Sequence, residues 1–65
     1  MDRSEYGHIP AFTGTSGTSM DAALEDAARQ AIEQFAAGTL FDIVRQQVVI
    51  SNPQVTEYRT VIVPR

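Results

Sequence analysis

The sequence predicts an α+β fold: a β-α-β-β chain whose three-stranded antiparallel sheet, in the order 1-3-2, packs on one long helix. Three observations carry this. Apolar residues recur at three- and four-residue steps between Ser19 and Ala37. Two runs rich in β-branched residues, Leu40 to Ser51 and Val55 to Val63, flank the turn sequence Ser51-Asn52-Pro53-Gln54. A short extended segment precedes the helix. With the helix running back along the sheet, that first strand lies antiparallel to the third and beside it.

Each element has its local reason. Met1 to Gly7 is charged and is expected to fray. His8 to Thr13 is the first strand, kept short or at an edge because Pro10 lacks a ladder donor. Gly14 to Thr18 reads as a loop. The helix then runs from Ser19 to Ala37, with Met20, Ala23, Leu24, Ala27, Ala31 and Phe35 as its apolar stripe. Ser and Thr suit its start, Thr18-x-x-Asp21 approximates a capping box, and Gly38 suits its end. Glu25–Arg29 and Arg29–Glu33 are four-residue pairs of opposite charge. The many alanines flatten the stripe, so its partner must pack close. Both hairpin strands carry apolar residues on both faces, and one helix covers only one face of a sheet. The other face is therefore expected to meet a second copy of the chain.

Composition narrows the function. A single domain of 65 residues without cysteine has no disulfide and no thiolate metal site to stabilise it. Self-association is the remaining stabiliser. The net charge of −3, the absence of lysine and the scattered arginines exclude a basic stripe for nucleic acid. No stretch approaches the ~20 apolar residues of a membrane span. The polar N-terminus has no signal-peptide core, and the reading is cytoplasmic.

No constellation declares a reaction. His8 has no nucleophile or acid at motif spacing, so no catalytic residue is assigned. Asp21, Glu25 and Asp26 could offer oxygens to a divalent cation but lack EF-hand spacing, and a solvated helix face explains them, so no metal site is assigned. Gly14 to Ser19 could hold an anion at a helix N-terminus or simply cap it. Tyr58 could stack on a ligand or simply pack.

Gly14-Thr15-Ser16, Met20-Asp21-Ala22-Ala23-Leu24, Phe41-Asp42-Ile43 and Val55-x-x-Tyr58-Arg59 stand in one ungapped register. On these motifs the chain resembles the dodecin family. The resemblance implies a hollow homo-oligomer, a homododecamer, that binds or stores a small ligand without catalysis. The family's ligand class is flavin. Flavin-binding dodecins place a tryptophan, which stacks on the isoalloxazine, just before the position of Phe41. Here that residue is Leu40, and the chain has no tryptophan. They often place a glutamine where Arg59 stands, and arginine offers donors but no acceptor. Pro10 and Pro64 also interrupt the outer ends of the first and third strands relative to the family.

The resemblance thus implies a ligand region at Leu40, Arg45, Tyr58 and Arg59 that is altered, with flavin binding weak or absent. Arg45 and Arg59 could hold a phosphate or carboxylate. The plainer reading is that they pair with Asp42 or Glu57 as salt bridges across subunits. The alternative to a storage shell is a structural or interaction protein that forms the oligomer without a specific ligand.

Overall fold

In the computed structural model, residues 10–65 are described. They form β1 (Phe12–Ser16), α1 (Met20–Ala31), β2 (Phe41–Ser51) and β3 (Gln54–Pro64). The three strands make one antiparallel sheet in the order β1-β3-β2. The fold class and strand order expected from the sequence are those observed.

The first strand is displaced from its expected span. It begins at Phe12, and Gly14, Thr15 and Ser16 continue it by pairing with Thr60, Arg59 and Tyr58. Gly14 reads locally as a breaker, yet here it admits the helix. A Cβ on Gly14 would overlap the Ala23 carbonyl oxygen and lie 2.5 Å from the Ala27 nitrogen. Ala23, Ala27 and Ala31 are buried along this contact, which is the close packing that the alanine stripe requires. Pro10 and Ala11 stay outside the ladder. The expected fraying of Met1 to Gly7 and the strand start at His8 lie outside the described residues.

Ser19 is the helix N-cap. It is extended, with φ −164° and ψ 161°, and its hydroxyl accepts from the Ala22 amide at 3.0 Å. Thr18 is not the cap; its amide donates to Ser16 Oγ. The helix ends at Ala31, six residues before the expected Ala37. Phe35 leaves the helical path to join Phe12 and Phe41, with ring centroids 5.6–6.3 Å apart and edge-to-face angles. Gly38 takes a φ of 88° in the following turn rather than closing the helix. Arg29 pairs with Asp26 at 3.6 Å, not with Glu25 or Glu33.

The core is small. Its buried apolar members are Phe12, Ala23, Ala27, Ala31 and Ile62, with Leu24, Phe35 and Phe41 packed against it. The helix lies on β1 and β3 and does not reach β2. The 11-residue hairpin strands extend about 36 Å, whereas five-residue β1 extends about 17 Å. β1 pairs with β3 only as far as Tyr58, so from Val49 and Glu57 to the turn the hairpin is a two-stranded ribbon, and Ile50 and Val55 are exposed there. The large apolar side chains left open are Ile32 at the end of α1, Leu40, Ile43, Val44 and Val48 in and before β2, and Ile50 and Val55 at the hairpin tip.

Two bulges set which side chains share a face. Ile43 pairs with Ile62 and Arg45 with Val61, so Val44 is surplus on β2; Thr56 is surplus on β3 between Glu57 and Val55. Thr60 is the one polar side chain buried in the protomer among the described residues, and its hydroxyl donates to the Arg45 carbonyl at 3.3 Å beside the first bulge.

Candidate functional site

The sheet face turned away from the helix is built by alternation. Phe12 and Gly14 face α1, so their β3 partners Ile62 and Thr60 do too, and Val61 and Arg59 turn outward. Thr15 and Gln47 flank Arg59 on either side. Arg45 stands opposite Val61, in the next row. Arg45 and Arg59 are thus diagonal neighbours on one face, within reach of a shared ligand. The Val44 bulge makes this so. Unbroken alternation from Ile43 would have turned Arg45 toward the helix side.

The two arginines differ in charge balance. Arg59 Nε donates to Glu57 Oε2 within the same strand. Asp42 accepts from Arg65 at 3.3 Å rather than from Arg45. Arg45 has no ion-pair partner among the described residues. Exposed pairs of this kind contribute little to stability, but they decide where positive charge is left over, and among the described residues it is left at Arg45. The expected pairing of Glu57 therefore occurs within one protomer, and Asp42 is already occupied.

The other two candidate residues are elsewhere in the protomer. Tyr58 is half-buried on the helix-side face, between Ser16 and Val48 in the ladder. Leu40 precedes β2 at the opposite end of the hairpin from the turn; it is 64% exposed, and its carbonyl accepts from the Arg65 amide at 2.9 Å. One protomer brings Arg45 and Arg59 together and leaves Leu40 and Tyr58 apart from them.

The depressions among the described residues lie away from these four side chains. Depressions of about 180 and 270 Å³ border α1, the first lined by Ala31, Ile32, Phe35, Phe41 and Ile62, the second by Ala28, Arg29 and Ile32. Both fall below the roughly 300–1,000 Å³ of small-molecule pockets, and neither includes a candidate residue. Among the described residues no three acidic or histidine side chains converge as a cation site. Asp26 is instead bonded to the Thr15 amide. No described helix is long and apolar enough to cross a membrane.

Sequence reasoning missed Gly14 as the helix seat, the bulge that places Arg45, and the contacts of Asp26 and Gln30 with β1. The first had a signal, since an isolated glycine between threonines marks a close backbone approach. The others depend on register and had none.

The fold and site thus define a small β-α-β-β protomer with a core of five buried apolar side chains and, among the described residues, a pair of neighbouring arginines on its open sheet face. The chain belongs to the dodecin family, whose model matches residues 9–63. No curated protein and no solved structure matches it. Dodecins are oligomeric, small-ligand-binding proteins.

Proposed function

We propose that this chain forms a hollow, cytoplasmic homo-oligomer, most simply a dodecamer, that binds or stores a small anionic ligand and performs no catalysis. The observation that carries the ligand class is Arg45: a guanidinium with no ion-pair partner among the described residues, beside Arg59 on one sheet face of a chain with net charge −3. Planar guanidinium forks suit phosphate and carboxylate groups. Thr15 and Gln47 add neutral hydrogen-bonding groups to the same row.

Flavin is the ligand class of the family, and Leu40 weakens that reading here. Stacking of a base on an aromatic side chain is worth about 1–3 kcal/mol, and leucine has no π-face. Titration with riboflavin and FMN is expected to quench little fluorescence at micromolar protein. Leu40→Trp is expected to tighten flavin binding by about tenfold or more. Submicromolar flavin affinity in the unaltered chain contradicts this.

The anion reading is tested by Arg45→Ala combined with Arg59→Ala, followed by native mass and titration with inorganic phosphate and a nucleoside monophosphate. An intact oligomer that has lost anion binding supports it. Unchanged anion affinity in an intact oligomer refutes it. A dissociated oligomer favours the second reading, a structural shell in which these arginines hold subunits together.

A further inference from the structure

The two edges of the sheet are not alike. At the β1 edge the Thr15 amide donates to Asp26 Oδ2 at 3.0 Å, and the Thr13 carbonyl accepts from Gln30 Nε2 at 2.8 Å. In an antiparallel ladder, alternate residues point both main-chain groups at the partner strand or away from it. Thr13 and Thr15 are the β1 residues that point away from β3. Asp26 and Gln30 stand one helical repeat apart, so they reach along the same strand. Gly14 lets them do so by bringing α1 against β1.

Among the described residues β2 has no such cover. It is 11 residues long, against five for β1. The Arg45 and Val49 carbonyls accept from the β3 side chains Thr60 and Thr56, which places them toward β3. Alternation then turns the main-chain groups of Gln46 and Val48 to the open edge. Among the described residues no side chain bonds them.

A free edge is a template for another strand, and proteins block such edges with charges and covering groups. We propose that Asp26 and Gln30 are edge-blocking residues: by occupying the Thr15 amide and the Thr13 carbonyl, they stop β1 from adding a strand of a second copy of this chain. Copies then meet the sheet away from β1, and the assembly stays closed instead of growing strand by strand.

The test uses the full chain carrying Asp26→Ala and Gln30→Ala. The Thr15 amide should exchange with solvent about tenfold faster, as expected for loss of one bond to a charged group. Native mass and light scattering should show assemblies larger than those of the unaltered protein at equal concentration. Asp26→Asn removes the charge that pairs with Arg29 yet keeps an acceptor for Thr15, and should retain the unaltered mass distribution. Should the double variant fail to fold, Gln30→Ala alone, which keeps the Thr15 bond, should show growth in the same direction to a smaller extent. An unchanged mass distribution in the folded alanine variants overturns the proposal. So does an Asp26→Asn chain that grows as the alanine variants do.

Discussion

Replacing Gly14 by alanine is expected to cost about 3 kcal/mol, at the upper end for an added methyl group in a packed core. For a chain of this size the melting temperature should fall by about 10–25 °C at fixed protein concentration. The magnitude follows from what the new Cβ meets. The Ala23 carbonyl and Ala27 amide are helix backbone, which cannot swing aside as a side-chain tip can. Relief requires α1 to lift from β1, loosening the contact that buries Phe12, Ala27 and Ala31. Gly17→Ala is the control: its nearest neighbour is the Thr56 carbonyl oxygen at 3.9 Å, so its effect should stay within about 0.5 kcal/mol. Thermal melts followed by circular dichroism check both. Equal melting temperatures for the two variants would mean that the helix is not seated on Gly14.

The second large effect concerns the distal hairpin. Ile50 and Val55 face each other across the strands, 61% and 40% exposed, beyond the last residue of β3 that pairs with β1. A two-stranded ribbon is marginal in water by itself. If a second copy buries this pair, Ile50→Lys with Val55→Lys should remove about 2–4 kcal/mol from each interface. That is roughly a 30- to 700-fold weaker association. Since the protomer's own core is three alanines, one phenylalanine and one isoleucine, loss of the oligomer should bring loss of folded structure. Native mass and far-ultraviolet circular dichroism should therefore change together on dilution. A variant that persists as a folded monomer at micromolar concentration would show that association is not what completes the fold.

Element order and sheet topology were legible because they rest on strong local signals. The helical spacing of the alanine stripe, the Asn52-Pro53 turn and the two β-branched runs leave few arrangements open. Boundaries were less so, and each miss has a tertiary cause. Ala36 and Ala37 favour helix, but Phe35 gains more by turning into the aromatic cluster. Gly14 belongs to a strand because Thr60 pairs with it and α1 sits on it. In the candidate site, the separation of Tyr58 from Arg59 follows directly from strand alternation and could have been read in advance. The meeting of Arg45 with Arg59 could not, because it depends on an irregularity that no residue type marks.

That irregularity has a counterpart, and the two act like paired frame shifts. Val44 advances the register of β2 by one residue, and Thr56 advances β3 by one residue farther along. Between them, Arg45 to Val49 run against Val61 to Glu57 one step out of phase with the rest of the ladder. Beyond them the phase is restored, so Ser51 still meets Gln54 and the turn still needs only Asn52 and Pro53. The hairpin thus presents its middle segment, arginines included, in an independent phase while its two ends remain in step. A chain lacking both Val44 and Thr56 would close the same turn. A chain lacking either alone would have to find a different one.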